Sequence, residues 1–349
     1  MTQQKNVLFI VPERTPNDHS RWALEMASDL RSDGYACGVV ARPSQAISKP
    51  FADRQLLYAT MAMRGPAAAI VTPVALASLF NKLGSPLAVH TASPTDFMMA
   101  ARSRRISRNE HNIRIFNTIT SFDTENNLQT LFNIFSHNTT DSDGLIFTDE
   151  ALREEFSKLL SNTAALNRIH VLKPALPTSN VPHEKPAATP HNIHFALSSD
   201  TCSLLNTLID ALATIKHLSW NLTVSGSGPS RTVMPIVRKA RAEGIDNRID
   251  WAGDACDFKA KLQATHIAVV DNSPLGLSAI EATAHGCIVV APASAKGRSA
   301  YGNSFFYADA DVSALATLLQ SIIADSITPK PSITPDFSVA KSRFVDIIF

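Results

Sequence analysis

The feature that most constrains the fold of this chain is a repeated alternation of short apolar runs with longer amphipathic stretches. The first run, Val7–Val11, is rich in branched residues and precedes helical spacing of apolar residues from about Ser20 to Ser32. Such runs predict buried strands, and strands that alternate with helices are typical of parallel sheets. In the first half we predict strands at 7–11, 36–41, 67–71, 86–91, 145–147 and 169–172, with helices near 20–32 and 149–160. The alternation therefore predicts a doubly wound α/β sheet.

The alternation is interrupted by a proline-rich stretch, residues 174–190, and then starts again. This stretch contains five prolines and keeps neither a helical nor a strand period, which is typical of a linker. Beyond it, strands are predicted at 194–197, 220–225, 249–252, 267–271 and 287–291, and helices near 203–215, 232–242, 258–264 and 278–285. Because 349 residues exceed what one hydrophobic core usually carries, we expect two Rossmann-like domains, 1–173 and 191–335. They would face one another across a cleft, with ligands outside the carboxyl ends of the strands.

Charge and composition exclude several classes of protein. The chain has 32 Lys and Arg against 31 Asp and Glu, so no overall basic field exists to hold nucleic acid. The apolar run at 7–12 is too short for a signal peptide or a membrane span. The four cysteines lack metal-site spacing, and the eleven histidines form no zinc-hydrolase motif. We therefore expect a cytoplasmic protein that needs no metal and no cofactor.

Two glycines follow the predicted strand at 220–225. The segment Gly226-Ser227-Gly228 would let the backbone turn sharply and approach a ligand, although an ordinary strand-to-helix turn would use the same residues. Arg231 occupies the third glycine position of the dinucleotide motif Gly-x-Gly-x-x-Gly, and residues 12–20 contain no glycine. A nicotinamide dehydrogenase is therefore disfavoured.

A second loop-to-helix segment, residues 271–286, has the geometry of an anion site. The predicted strand ends at Asp271, and small residues lead through Gly276, Leu277 and Ser278 into a helix. The amides in the first turn of a helix and the helix dipole both favour phosphate. Glu281 lies on the same helix, where a Glu is more often a surface residue that complements the dipole.

The order of these pieces resembles the GT-B retaining glycosyltransferases of group 1 (family 4-like), which use nucleotide-sugar donors. That family shows a strand followed by Gly-x-Gly-Pro, a strand ending in Gly, and a Glu-x7-Glu loop and helix leading into Gly-x-x-Val-Val-Ala. The chain matches this pattern at residues 224–229, 249–253 and 276–291. Residues 146–152 are similar to a helix start before the family's linker. Residues 336–349 are similar to its last helix, which crosses back onto the first domain.

The resemblance implies an enzyme of the hexosyltransferase type that moves a sugar from a nucleotide-diphosphate donor to a glycan or lipid-linked acceptor. The transfer would retain the anomeric configuration and need no metal. Glu281 would hold the ribose hydroxyls of the donor. The implied donor-binding residues are Gly226, Ser227, Gly228, Gly276, Leu277, Ser278 and Glu281.

The chain also departs from the family pattern. The first Glu of Glu-x7-Glu falls on Ser273, at a catalytic position, and the Arg and Lys that hold the diphosphate fall near Ser198 and Ser203. Two lost cations would remove charge-assisted hydrogen bonds of about 1.5–3 kcal/mol each. Lys296 or Arg298, in the loop after the last predicted strand, would substitute as donor-binding cations.

These departures leave two alternatives open. A degenerate GT-B protein would bind a ligand, or act as the protein partner of an active enzyme, without transfer. A GT-B epimerase would need carboxylates in the first domain that the sequence does not reveal.

In the first domain the candidates rest on the resemblance. His90 ends the strand predicted at 86–91, near where the family often has a His that contacts sugar or acceptor, so it is a catalytic candidate beside a structural role. The family's glycine-rich acceptor loop is replaced by residues 16–21, in which His19 and Arg21 are the acceptor-side candidates.

Two charged segments have competing interpretations. Arg102, Arg104, Arg105 and Arg108 form either a solvated basic helix or a surface for an anionic membrane, which would place the protein at the inner face of the membrane. Asp309 and Asp311 spell a metal-binding Asp-x-Asp, but their position before a Leu-rich helix favours an N-cap.

Overall fold

A computed structural model describes the backbone of the chain in thirteen segments. The segments are residues 4–12, 17–62, 65, 67–119, 143–160, 166–177, 190–197, 201–226, 228–253, 258–271, 275–294, 304–324 and 336–349, with the side chains of 258–260 left aside. The chain divides into two compact units. The N-terminal unit is Met1–Pro177 with Asp336–Phe349, and the C-terminal unit is Thr178–Pro335.

The N-terminal unit is built on a parallel sheet in the order β3-β2-β1-β4-β5-β6-β7. Its strands are β1 (Asn6–Val11), β2 (Ala36–Ala41), β3 (Leu57–Thr60), β4 (Leu87–Thr91), β5 (Ile113–Ile119), β6 (Gly144–Phe147) and β7 (Ile169–Val171). Its helices are α1 (Asp18–Ser32), α2 (Gln45–Asp53), α3 (Ala68–Leu83), α4 (Pro94–Ile106), α5 (Glu150–Ser157) and, at the end of the chain, α11 (Phe337–Ile348). The strand order reverses between β1 and β4, as in doubly wound folds.

The apolar run of β1 is buried on both faces of the sheet. Leu8 and Ile10 join the core formed with α3 and α4, whereas Phe9 packs against Trp22 of α1, with ring centroids 6.0 Å apart. Successive strand residues point to opposite faces, so an uninterrupted apolar run marks a strand covered on both sides. The run at 7–11 therefore fixes β1 at the centre of the sheet.

The predicted strand at 67–71 is wrong, because these residues begin α3. A short run of alanines and branched residues has no period that separates a strand from the first turns of a helix, and α3 continues to Leu83. The prediction also omitted α2, β3, α4 and β5. β5 was hidden because Arg114, Asn117 and Thr118 interrupt its apolar run.

The C-terminal unit has a second parallel sheet in the order β10-β9-β8-β11-β12-β13. Its strands are β8 (His191–Leu197), β9 (Trp220–Gly226), β10 (Ile249–Gly253), β11 (Ile267–Val269), β12 (Ile288–Pro292) and β13 (Phe305–Tyr307). Its helices are α6 (Cys202–Thr214), α7 (Ser230–Ala242), α8 (Phe258–Ala264), α9 (Leu277–Ala284) and α10 (Val312–Ile323). β13 was not predicted, whereas β8–β12 and α6–α9 lie where the periodicity placed them. The prediction of two parallel-sheet, Rossmann-like domains is confirmed.

The final helix, α11, packs within the N-terminal unit. Its Phe344 is fully buried, stacks on Phe9 with centroids 5.8 Å apart, and meets the edge of Trp22 at 5.5 Å. The Lys341 ammonium lies 2.5 Å from a carboxylate oxygen of Asp29 and 2.6 Å from one of Asp33, both at the end of α1. The N-terminal unit is thus completed by residues that follow the whole C-terminal unit in sequence.

Of the helices that the structure describes, none is both long and apolar enough to cross a lipid bilayer.

Candidate functional site

The strand order of the C-terminal sheet reverses between β8 and β11. In open α/β sheets the crevice at such a reversal, outside the carboxyl ends of the strands, is where ligands bind. β9, β8 and β11 are neighbours, so the ends of β9 and β11 lie only two strand spacings apart, about 10 Å. The topology therefore brings Gly226, the last residue of β9, and Gly228 to the same edge as the segment that opens α9.

Gly226 is required by a close approach of two backbones. It has φ +90°, and a Cβ at this position would lie 2.2 Å from the carbonyl oxygen of Leu197, its register partner at the end of β8. Neither the left-handed φ nor the contact is tolerated by a side chain. The structure thus gives Gly226 a packing role at the candidate site, and the expected contact of Gly226 with a donor stays a prediction.

Helix α9 begins at this edge of the sheet, directly after a glycine in the left-handed backbone conformation. Gly276 has φ +61° and precedes the helix, and the first intrahelical bond runs from the Ile280 amide to the Gly276 carbonyl, at 3.0 Å. The Ser278 amide precedes that bond and lies in the first turn, whose amides have no carbonyl partner inside a helix. Ser278 is half-buried, and Leu277 is buried. This geometry fits an anionic group at the start of α9.

Glu281 is the fifth residue of α9 and is 4% exposed. This position excludes the alternative interpretation of a surface Glu in the first helical turn. Ser278, Glu281 and His285 follow at spacings of three and four and so share one helix face. The Nδ1–H of His285 donates to the Glu281 carbonyl at 2.8 Å, which fixes the end of the helix behind the carboxylate.

His194, a buried polar residue of β8, was not among the candidates from the sequence. Its Nε2 lies 2.8 Å from the hydroxyl of Ser225, the residue before Gly226, so the pair ties β8 to the end of β9. Burial, with a smaller effect of the positive Lys261, lowers the pKa of His194 to about 4, so its ring is neutral at pH 7. The only sequence signal was a His within an otherwise apolar strand.

In the N-terminal unit, His90 lies near the β1–β4 reversal but is shut off from solvent. Its ring is 1% exposed and lies 5.1 Å from Trp22, 5.6 Å from Phe344 and 5.8 Å from the parallel ring of His19. Burial, and secondarily the neighbouring His19, hold its pKa well below the ordinary value, so the ring is neutral. This placement favours the structural role over contact with a substrate.

His90 belongs to a set of polar side chains at the carboxyl ends of β4 and β5. Its Nε2 lies 2.6 Å from the Thr118 hydroxyl, and the Thr91 hydroxyl donates to the Asn117 side-chain oxygen at 2.7 Å. Thr91, Asn117 and Thr118 were not among the sequence candidates. The acceptor-side candidates His19 and Arg21 lie at the start of α1, where His19 is buried and Arg21 is half-buried.

The structure corrects the interpretation of the arginines at 102–108 as one exposed basic surface. Arg104 is 5% exposed, lies 2.7 Å from the Asp143 carboxylate and donates to the Ile113 carbonyl at 3.2 Å. It therefore holds α4 to the sheet and is not available to a membrane. Arg102, Arg105 and Arg108 are exposed.

Four candidates, Ser227, Ser273, Lys296 and Arg298, lie outside the described residues, as does Ser198. The described segments contain no group of three Cys, His, Asp or Glu side chains that could hold a metal.

The Asp-x-Asp segment caps a helix. Asp311 accepts the Ala314 amide at 2.9 Å as the N-cap of α10, and Asp309 accepts the Ser294 amide at 2.9 Å. The predicted N-cap is confirmed for Asp311.

The chain was compared with known families and structures. Residues 201–325 match the family model of the glycosyl transferases group 1. The chain has no significant match among curated proteins. Anabaena HepE in complex with UDP and glucose has a TM-score of 0.74 at 14% identity, over 98% of this chain and 96% of that one.

Two further solved structures have the same fold. The lipopolysaccharide outer core galactosyltransferase WaaB, in its apo form, has a TM-score of 0.71 at 13% identity, over 99% of both chains. Sucrose-phosphate synthase from Thermosynechococcus elongatus has a TM-score of 0.70 at 17% identity, over 99% of this chain and 95% of that one. The predicted resemblance is confirmed, for the fold over the whole chain and for the family over residues 201–325.

Proposed function

We propose that this chain, whose residues 201–325 match the glycosyl transferases group 1, is a retaining, metal-independent glycosyltransferase with a nucleotide-sugar donor and a glycan or lipid-linked acceptor. The observation that carries the proposal is the position of Glu281. It is buried on α9, a helix of the matched region that begins at the carboxyl-end edge of the C-terminal sheet.

The donor's diphosphate would lie at the start of α9. The first turn of α9, at Ser278, would offer it a backbone amide, and the helix dipole would add a favourable field for an anion. Anabaena HepE, which has this fold, binds UDP and UDP-glucose. A uridine nucleotide is therefore the first donor to test.

Glu281 would accept hydrogen bonds from the ribose hydroxyls of the donor. A carboxylate has acceptor sites for both hydroxyls, and such charge-assisted bonds are strong because the group is largely removed from water. Retention of this Glu supports an active enzyme over a degenerate binding protein.

The second donor-site requirement is positive charge near the diphosphate. Residues 198–207 contain no Lys or Arg, so the charge would come from Lys296 or Arg298, which follow β12. β12 pairs directly with β11, so the loop after it leaves the sheet one strand away from the segment that leads into α9. A cation there would stabilise the departing diphosphate electrostatically.

The proposal is tested by nucleotide binding to the wild type and to Glu281→Gln. We expect calorimetric titration to show binding of UDP, GDP or ADP, and Glu281→Gln to weaken it by about 1–3 kcal/mol, roughly 5- to 150-fold. Glu243→Gln is the matched control, since Glu243 is exposed at the end of α7 in the same unit, and it should bind as the wild type does. If none of the three nucleotides binds, or both variants bind equally well, the donor site is misplaced.

Transfer is tested separately from binding. Incubation with the bound nucleotide's sugar donor and candidate glycan or lipid-phosphate acceptors, with a chelator present, should release nucleotide and give a product whose anomeric configuration matches the donor. Inversion, or transfer abolished by the chelator, would contradict the proposed mechanism. Binding without transfer to any acceptor would favour the degenerate alternative.

A further inference from the structure

Helix α3 is apolar on the face that it turns to solvent as well as on the face that it buries. Ile70, Val71 and Val74 are 74%, 63% and 56% exposed, whereas Leu76 and Phe80 of the same helix are fully buried. Lys82 is the only charged residue among the sixteen of α3. A helix on the surface of a soluble domain normally turns a charged face outward, so this outward face is built for contact with something apolar.

Positive charge lies beside this apolar face. α3 and α4 pack together with their ends adjacent, because the Asn81 side-chain oxygen accepts from the Ser107 hydroxyl at 2.8 Å and from the Arg108 amide at 3.0 Å. This contact brings Lys82 next to the end of α4. The exposed cations on the two helix ends are Lys82, Arg102, Arg105 and Arg108.

Neither of the two helices sets an exposed negative charge beside these cations. α3 contains no acidic residue, and the single one of α4, Asp96, is 2% exposed and bonded to the Ser93 hydroxyl within the first turn. Glu110, exposed in the turn that follows α4, is the nearest acidic residue in sequence. We name the exposed surface of Ile70, Val71, Val74, Lys82, Arg102 and Arg108 the α3–α4 face.

We infer that the α3–α4 face binds the surface of an anionic lipid bilayer. Val74 and Lys82 are eight residues apart, about 12 Å along one helix face, so a plane lying on that face reaches the apolar and the basic side chains together. A bilayer surface offers an apolar interior and anionic headgroups within that distance and needs no shape complementarity. This inference does not rest on the proposed function, because lipid binding needs no nucleotide sugar.

The test is co-sedimentation of the purified full chain with lipid vesicles. We expect binding to vesicles of phosphatidylcholine with one-third phosphatidylserine at low salt, weaker binding at high salt, and little binding to phosphatidylcholine alone. Since each basic residue near such a surface raises binding about fivefold, Arg102→Glu/Arg108→Glu should lower the partition coefficient by about a hundredfold or more. Ile70→Ser/Val74→Ser should lower it roughly tenfold.

Matched controls carry the same chemical changes elsewhere on the surface. Lys158→Glu/Arg238→Glu reverses two exposed cations, and Met234→Ser/Val339→Ser removes two exposed apolar side chains. Both controls should sediment with anionic vesicles much more than the test variants. Equal losses in test and control variants would overturn the inference, as would a wild type that ignores anionic vesicles at low salt.

A measurement on the wild type keeps the test independent of how the variants fold. Hydrogen exchange should slow across residues 68–83 when anionic vesicles are added, and no such change should appear in α7 or α10. If the wild type is instead a dimer that Ile70→Ser/Val74→Ser converts to monomers, without vesicle protection of α3, the face serves self-association and the inference is overturned.

Discussion

At the scale of single residues, Gly226 belongs to a motif that suggests ligand binding, and the packing of two strand ends also requires a glycine there. The glycine allows the ends of β8 and β9 to meet, and the neighbouring pair of His194 and Ser225 ties the same two strands together. The position of the ligand crevice depends on where these strand ends lie. The packing of Gly226 therefore decides whether the site can form.

We expect Gly226→Ala to destabilise the C-terminal unit by about 2–4 kcal/mol, because it combines a left-handed φ with a 2.2 Å approach to the Leu197 carbonyl. Gly244→Ala is the control. Gly244 has φ +71° with nothing near its absent Cβ, so this change should cost only about 1 kcal/mol. Urea unfolding followed by the fluorescence of buried Trp220, in a background with Trp22→Phe and Trp251→Phe, measures both. Equal costs would mean that the backbone contact contributes nothing.

Contacts between side chains that are distant in sequence could not be predicted from the sequence. Glu281 and the α9 segment could be singled out because their motif is local, spanning a few residues around one helix start. The contacts of His90 with Thr118 and of His194 with Ser225 join residues 28 and 31 positions apart. They depend on the register between strands, which no local pattern determines, so His90 could not be assigned to the interior in advance.

At the scale of elements, the strands with uniform composition were predictable and the mixed ones were not. β1 after Asn6 and all of β2 lack charged and polar side chains, and their predicted bounds agree with the structure to within one residue. The start of α3 has the sequence pattern of a strand, because its first residues are apolar on every side of the helix. The same property that hid the helix from periodicity is the one that leaves Ile70, Val71 and Val74 exposed.

The element-scale prediction concerns α11. Phe344→Ala should cost about 3–5 kcal/mol, since it empties a fully buried site between Phe9, Trp22 and His90. Val339→Ala, on the same helix but 64% exposed, should change the free energy of unfolding by no more than about 0.5 kcal/mol. Urea unfolding and hydrogen exchange of the α11 amides measure the effect. An unchanged α11 in Phe344→Ala would show that the helix is held by Lys341 and not by its apolar face.

At the scale of the whole molecule, each unit buries a neutral histidine in its sheet, His90 in one and His194 in the other. Both have a pKa below the unfolded value of about 6.5, so the unfolded chain binds protons that the folded chain does not. This contribution to stability is complete above pH 6.5. It is lost as the pH falls, for His194 down to its folded pKa of about 4.

We therefore expect the protein to lose stability between pH 7 and pH 5, with His194 alone contributing about 2 kcal/mol in the C-terminal unit. His194→Gln removes the titrating group and should flatten the pH dependence of the urea midpoint reported by Trp220 in the same Trp22→Phe/Trp251→Phe background. His217→Gln, a change at an exposed histidine of the same unit, should keep the wild-type slope. A His194→Gln slope as steep as that of the wild type would contradict the assignment.

The discontinuous N-terminal unit also has a consequence for the order of events during synthesis. Phe344, which covers Phe9, Trp22 and His90, leaves the ribosome only after all 158 residues of Thr178–Pro335. At 5–20 residues per second, synthesis of these residues takes roughly 8–30 s. During that time the aromatic side chains of the first unit remain uncovered on the nascent chain. The unit made first is therefore the unit finished last, and its uncovered aromatic surface is where we expect a chaperone to bind.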